Sequence, residues 1–253
     1  MIFPRFRVVA YYGGAGGPGL GVLGAGTPDQ AAAAVAQQAQ LFATPARPVQ
    51  PALELIATVA LPEPGPDGTY SSHGDPAVVQ RYLAAARSHH ELLVLDFQPG
   101  QGDFLPEVER FAPFLTQPDV GVALDPEWHM QPGQIPGQVY GSATAASVNA
   151  VSAYLAGIVA RNRLPQKLFV IHQFRPSVLP DRQAIVARPG LATVFHADGN
   201  GSPYDKVKVY DLLAFPGAPF YRGFKLFFTR DTPLMTPQQT LALAPAPDLV
   251  TYQ

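Results

Sequence analysis

Residues 120–129, VGVALDPEWH, show the pattern on which the fold prediction depends. A short apolar run ends abruptly in a polar segment that starts at Asp125. Because helices cover both faces of a parallel sheet, parallel strands carry continuous apolar runs rather than alternating ones. The stretch therefore predicts a parallel strand over residues 120–125 whose carboxyl end bears polar side chains.

The same pattern recurs along the chain and alternates with helix-like segments. Strands are predicted over residues 7–12, 53–60, 91–97, 120–125, 167–174, 192–196, 224–228 and 249–252. Helices are predicted over residues 30–42, 75–90, 104–115, 143–163, 182–187 and 204–213, with a short one starting at Thr236-Pro237. Such alternation is typical of βαβ units in a parallel sheet.

Units of this kind in 253 residues predict one α/β domain over residues 1–253, a (β/α)8 TIM barrel. The last predicted strand lies at the C-terminus without a following helix. A doubly wound open sheet is the alternative. No dinucleotide-binding fingerprint favours it, since the glycine-rich residues 13–17 run into Pro18 rather than into a helix.

Composition narrows the classes of function. Lys and Arg total 17 against 19 Asp and Glu, and the net charge of −2 includes no basic run, so nucleic acid is not an expected partner. The chain contains no cysteine, which removes thiolate nucleophiles and iron–sulfur ligation. No apolar stretch reaches the ~18 residues of a membrane span. The first residues lack the apolar core of a signal peptide.

The active site of such a barrel forms at the carboxyl ends of the strands. Polar residues stand at most of the predicted ends: Tyr11, Tyr12, Asp96, Gln98, Asp125, Glu127, His129, His172, Gln173, His196, Asp198 and Lys225. A charged group next to an apolar segment is costly to bury unless it is paired or used. We therefore expect these side chains to meet at one mouth of the barrel.

The strongest chemical pattern is Asp125-Pro126-Glu127-Trp128-His129. In an extended chain Asp125, Glu127 and His129 point to one side. Neighbouring carboxyl groups separate each other's pKa values, so that one serves as an acid while the other stays ionised. Glycoside hydrolysis needs this division between a proton donor and a charge-stabilising or attacking carboxylate. The alternative is that Asp125 is a turn residue and Glu127 a solvated loop residue.

Other features of the strand ends fit a sugar site. Aromatic side chains that offer stacking faces are Tyr12, Phe97, Trp128, Phe174 and Phe195. Two long loops, residues 13–24 and 131–141, are expected to border a cleft, with simple surface connection as the alternative.

Two resemblances follow from these motifs. Asp125-Pro126-Glu127 after the fourth strand, with Tyr11-Tyr12 after the first, resembles chitinase-type and other retaining glycosidase barrels. Ala123 stands where the chitinase-type enzymes carry another Asp, and the segment 196–199, HADG, replaces their tyrosine motif, so chitin chemistry is not implied.

Over nearly the whole chain, LLVLDFQPGQGDF, DVGVALDPEWHM, LPQKLFVIHQF, FHADGNG and GFKLFF resemble a group of mostly actinobacterial-type, often exported proteins. That likeness implies one intact domain and an extracellular or cell-envelope location. It implies no activity.

The first hypothesis is a glycoside hydrolase that cleaves a poly- or oligosaccharide without a cofactor. Glu127 is the predicted proton donor, and Asp125 or Asp96 is the partnering carboxylate. The predicted substrate-binding residues are Tyr12, Trp128, His172, Gln173, His196, Asp198 and Lys225. For Lys225, an ion pair with Asp198 or Asp231 and a Schiff-base role are both open.

Two further hypotheses use the same strand ends. The first is a metal-dependent hydrolase, because imidazole and carboxylate groups suit Zn, Mn or Fe. Its candidate ligands are His129, His172, His196, Asp96, Asp125, Glu127 and Asp198. For His172 and His196, hydrogen-bonded residues that orient a carboxylate are the alternative. The second is a carbohydrate-binding barrel without catalysis. The sugar and the oligomeric state stay open.

Overall fold

A computed structural model describes residues 1–217 and 219–253 of the chain. The strands in this part are β1 (Arg7–Gly13), β2 (Val49–Ala60), β3 (Ser71–His73), β4 (Leu92–Phe97), β5 (Val120–Leu124), β6 (Lys167–Gln173), β7 (Leu191–Ala197), β8 (Tyr221–Leu226) and β9 (Leu249–Tyr252). The α-helices are α1 (Pro28–Gln40), α2 (Pro76–Ser88), α3 (Phe104–Arg110), α4 (Ala112–Leu115), α5 (Ala145–Asn162), α6 (Pro203–Leu212) and α7 (Pro237–Leu241).

Eight of the strands form a closed parallel barrel. Their order around the barrel is β1, β2, β4, β5, β6, β7, β8 and β9, and β9 pairs in parallel with β1 to complete the circle. β3 pairs antiparallel with the end of β2 and lies outside the barrel. The predicted α/β barrel is therefore confirmed, and β9 is the last of these elements, as expected.

Two apolar cores follow from the period-two alternation of side chains along each strand. The inner core fills the lower barrel with small and branched residues: Val8, Ala10, Ala52, Val94, Ala123, Leu168, Val170, Ala192, Val194 and Leu249. Phe3, from the segment before β1, packs with them and is fully buried. The outer core lies between the barrel and the helices. In α1 it takes Val35 and Ala39, while Thr27 caps the helix by accepting the Gln30 N–H.

Some elements differ from the sequence prediction, two helices and one strand among them. The helix expected over residues 104–115 ends at Arg110, and α4 follows with Pro113 in its first turn. A proline lacks the N–H that would continue the helix and crowds the carbonyl four residues earlier. The helix expected over residues 182–187 is a single 3-10 turn, Arg182–Ala184. The strand predicted over residues 224–228 is observed as β8, Tyr221–Leu226. It ends at Leu226 because the next N–H, that of Phe227, donates to Asp231 Oδ2.

No helix in the described ranges has the length and apolarity that crossing a membrane would require.

Gly223 in β8 makes room for a histidine inside the barrel. A Cβ at this position would lie 2.0 Å from His196 Nδ1 and 3.0 Å from Val194 Cγ1. Replacing Gly223 with alanine should therefore lower the free energy of unfolding by about 1–3 kcal/mol, the usual cost of overpacking. Gly16→Ala is the matched control, since a Cβ there meets nothing within 4 Å. Urea denaturation measures the free energy of unfolding of both variants. Equal stability of the two would show that the barrel accommodates the added methyl group at residue 223.

Candidate active site

The upper interior of the barrel is polar. Inward-facing positions in the upper part of the barrel carry Tyr12, Glu54, Asp96, Asp125, His172, His196, Lys225 and Thr251, all of them buried. The register places them above the inner apolar core, with His172 opposite His196 and Lys225 opposite Thr251. Of the strand-end groups expected to converge at one mouth, Tyr12, Asp96, Asp125, His172, His196 and Lys225 do so in this layer.

Above this polar layer lies a cavity of about 770 Å³. Tyr12, Asp125, Glu127, Trp128, Asp198 and Lys225 line it, all of them predicted site residues. Both loops that were expected to border a cleft do so: Gly19 and Leu20 come from the first, and residues 137–140 from the second. Phe174 lines the wall beside Tyr140, with the two ring centroids 4.9 Å apart.

The segment after β5 is not extended, and the prediction that Asp125, Glu127 and His129 share one side of a straight strand is wrong in that detail. Pro126–Trp128 forms a 3-10 turn in which the Trp128 N–H bonds the Asp125 carbonyl at 3.1 Å. The turn still brings the two carboxyl groups together, and Asp198 from the end of β7 joins them. One carboxylate oxygen from each lies within 4.8 Å of the others.

The burial of this carboxylate group changes its proton affinities. Desolvation, and then repulsion from Asp198, raises the pKa of Glu127 to about 7. Desolvation and the neighbouring Glu127 raise the pKa of Asp125 well above its ordinary value. Glu127 is thus the cavity-lining acid whose protonation changes near neutral pH, as a proton donor requires.

Asp198 is held in the opposite, ionised state by a buried chain of hydrogen bonds. His172 bridges two carboxylates, with Nε2 2.9 Å from Glu54 Oε1 and Nδ1 3.2 Å from Asp198 Oδ2. Burial opposes a charge on the imidazole, but the charge of Glu54 and both hydrogen bonds outweigh it and raise the pKa of His172 well above its usual value. Burial likewise opposes a charge on Asp198, but the contact with His172 outweighs it and lowers the pKa of Asp198.

Glu54 is the site residue that the sequence analysis missed. It sits in the middle of the apolar strand β2 rather than at its end, and its side chain is 1 % exposed. The available signal was its isolation, since it is the one ionisable residue in LELIATVA, residues 53–60. A carboxylate in such a run needs an internal partner.

Asp96 belongs to a neighbouring network. Its Oδ2 accepts the Tyr12 hydroxyl at 3.0 Å, and Gln98 Nε2 donates to the same hydroxyl oxygen at 3.2 Å. Asp96 is completely buried and is not among the residues that line the cavity. Burial raises its pKa to about 6. Asp96 therefore lies outside the cavity lining and holds in position Tyr12, which lines the cavity.

His196 stays neutral beside the charged His172. The two rings meet edge to face with centroids 5.0 Å apart, and His196 Nε2 lies 2.7 Å from Thr251 Oγ1. Burial, and then the charge of His172, lowers the pKa of His196 well below its usual value. The orienting role considered for both histidines is therefore seen for His172 with Asp198, whereas His196 contacts a hydroxyl.

The other predicted residues face away from the cavity. Gln173 points outward, where its Oε1 accepts Arg182 Nη1 at 2.8 Å. His129 lies 2.8 Å from the Ser142 carbonyl and stacks on Phe104. Two of the five aromatic side chains considered for sugar stacking, Phe97 and Phe195, are instead part of the outer core.

Two groups of side chains among the described residues have the spacing of metal ligands. Glu54, Asp96 and His172 bring ligand atoms within 4.8 Å, but both nitrogens of His172 are already hydrogen-bonded. Asp125, Glu127 and Asp198 offer an all-oxygen set, which suits Mg²⁺, Ca²⁺ or Mn²⁺ rather than Zn²⁺. Neither group includes the strand-end histidines His129 and His196.

A scan against protein-family models and a search of the curated proteins both return no match to this chain.

The charge on His172 depends on Glu54, which gives a direct test. Glu54→Gln removes that negative charge, so the His172 imidazole should lose its proton at a lower pH than in the unsubstituted protein. Side-chain ¹⁵N NMR of the histidines follows the change. Glu63→Gln, an exposed acid, is the control and should leave the titration of His172 unchanged. If the two variants titrate alike, Glu54 does not hold the imidazolium.

Proposed function

We propose that the protein is a glycoside hydrolase acting at the carboxylate cluster of Asp125, Glu127 and Asp198. One observation carries the proposal: a carboxyl group whose pKa is about 7 lines a cavity within 4.8 Å of a carboxylate that His172 keeps ionised. Glycosidases require one protonated and one ionised carboxyl group at the scissile bond.

In the proposed reaction, Glu127 gives its proton to the glycosidic oxygen as the bond between that oxygen and the anomeric carbon breaks. The Asp198 carboxylate stabilises the positive charge on the anomeric carbon and then bonds to it, forming a glycosyl ester. Water next attacks the same carbon while the Glu127 carboxylate takes its proton, and the ester bond breaks. The sum is one glycoside and one water giving a sugar and an alcohol.

Asp198 is favoured over Asp125 and Asp96 as the partnering carboxylate because of charge. The pKa of Asp198 is lowered by His172, whereas burial raises the pKa of Asp125 and of Asp96. Burial and the neighbouring Glu127 make Asp125 hold its proton more strongly than an ordinary aspartate, so it is less suited than Asp198 to be the ionised partner.

The short spacing also favours one stereochemical outcome. Inverting enzymes separate their carboxyl groups by about 6.5–9.5 Å to admit a water, and retaining enzymes by about 5–5.5 Å. Oxygens of Glu127 and Asp198 lie within 4.8 Å of each other, which favours retention. Trp128, Tyr140 and Phe174 in the wall supply the aromatic faces on which sugar rings stack.

Glu127→Gln should reduce the release of reducing ends from a cleaved polysaccharide by at least about 100-fold, the usual contribution of a general acid. The fold should be intact, since glutamine has the same shape. In the unsubstituted enzyme kcat/KM should fall as pH rises through about 7, because the acid of that pKa must be protonated to act.

A panel of polysaccharides, assayed for new reducing ends, provides the substrate for both measurements. Glu109→Gln, an exposed acid on α3, is the control and should behave like the unsubstituted enzyme. Full activity of Glu127→Gln would remove Glu127 as the acid. Undiminished glycan binding with no cleavage by any form of the protein would favour the non-catalytic carbohydrate-binding barrel.

A metal-dependent hydrolase is the second candidate, favoured by the three carboxylate oxygens within 4.8 Å. The two candidates differ in their response to chelation. Proton transfer by Glu127 predicts that glycan cleavage persists, within about twofold, after dialysis against EDTA. A loss of activity that Mg²⁺ or Mn²⁺ restores, with stoichiometric metal by elemental analysis, would instead establish the metal mechanism.

A further inference from the structure

Most buried cations in the described part of the molecule have fixed partners. Lys206 Nζ lies 3.0 Å from Asp231 Oδ2 and donates to two carbonyls, and Lys167 Nζ donates to the carbonyls of Gln117 and Val120. Arg182 donates to Gln173 and to two carbonyls. This is the usual state of a cation that has left water.

Lys225 is the exception. Its side chain is 3 % exposed and lines the cavity, yet among the described residues it forms no ion pair and no hydrogen bond. The ammonium lies 3.6 Å from the centroid of the Tyr12 ring and 5.4 Å from that of Phe227. The aromatic faces attract the charge but accept none of its three N–H donors in the way an oxygen does.

Two arginines add positive charge near Lys225, at the wall of the same cavity. Arg230 lines the cavity, is exposed at its rim and forms no ion pair with the described residues. The guanidinium of Arg175 lies against the cavity-wall rings of Tyr140 and Phe174, at 4.5 and 5.0 Å from their centroids, and its buried Nε has no hydrogen-bond partner. Lys225 and Arg230 in the cavity wall, and Arg175 behind it, thus form no ion pair with a carboxylate among the described residues.

We infer that the saccharide substrate carries an anionic substituent, which Lys225 and Arg230 bind on the cavity wall. The inference rests on the proposed function, and it narrows the substrate class to acidic glycans. The shared chemistry is an oxyanion, which is either the carboxylate of a uronic acid or a sulfate ester. Its oxygens accept the N–H donors that the protein leaves unused.

The acidic cluster on the same cavity does not prevent this binding. Asp198 already has its charge opposed by His172 at 3.2 Å. Burial raises the proton affinity of both Asp125 and Glu127, so their negative charge is reduced at neutral pH. The charge around Lys225 is therefore less negative than three fully ionised carboxylates in this cluster would make it.

The test compares matched sugars on the Glu127→Gln protein, so that binding is measured without turnover. Probes are the methyl glycosides of glucuronic and galacturonic acid, the neutral methyl glucoside and galactoside, and the 6-sulfates of the neutral pair. Ligand-observed NMR titration gives their affinities. An acidic probe should bind at least tenfold more tightly than its neutral parent, and 0.5 M NaCl should reduce that advantage.

Lys225→Met and Arg230→Gln, each combined with Glu127→Gln, should reduce the tighter binding of the acidic probe over its neutral parent to threefold or less. Lys208→Met, an exposed lysine on α6, is the control and should leave it unchanged. Thermal unfolding checks the fold of Lys225→Met. Arg230→Gln keeps the test valid if that variant is unstable, because Arg230 is at the surface. Preference for the uronates or for the sulfates identifies which oxyanion is recognised.

The inference is overturned if neutral parents bind as tightly as the acids, if no acidic probe binds, or if both substitutions leave the advantage intact. These results can be distinguished from results that would refute the proposed glycoside hydrolase function. Cleavage of neutral glycans without preference for acidic ones would refute the anion site alone. Tight binding of acidic probes with no glycan cleaved would refute the hydrolase alone.

Discussion

The hydrogen-bonded chain from Glu54 through His172 to Asp198 is the constraint on which the site depends. Each of these groups is buried, and an unpaired charge at such a depth would carry a desolvation penalty of several kcal/mol. The imidazolium offsets two carboxylates at once, and they in turn hold its ring in place. The charges of this chain also act on the other titratable groups at the mouth. Asp198 raises the pKa of Glu127, and His172 lowers it.

The barrel was predictable because most of its strands contain a continuous apolar run, and that property is visible in sequence. The errors arose where a local contact overrides the pattern. Pro113 splits one predicted helix, and Asp231 draws the Phe227 N–H out of the sheet. β3 was missed because three polar residues paired at a strand end carry no apolar signal.

The candidate site was predictable to the extent that strand ends converge. Period-two alternation would have refined it: if Asp96 and His172 face inward, Phe97 and Gln173 must face the helices, as they do. Glu54 lay outside a search of strand ends because β2 continues beyond it. Glu54 and His172 are 118 positions apart along the chain, and closure of the barrel brings them into contact. No local sequence motif reveals such a contact.

The acid and the free ammonium are linked through charge. Lys225 lowers the pKa of Glu127, in opposition to the burial and the Asp198 repulsion that raise it. An oxyanion bound to Lys225, as proposed, would neutralise that lowering influence, so the pKa of Glu127 would rise on binding of an acidic glycan. Because the proposed acid must hold its proton until the glycosidic bond breaks, the substrate itself would extend activity to higher pH. A neutral glycan would lack this effect, so the wall proposed to bind the anion would also favour its turnover.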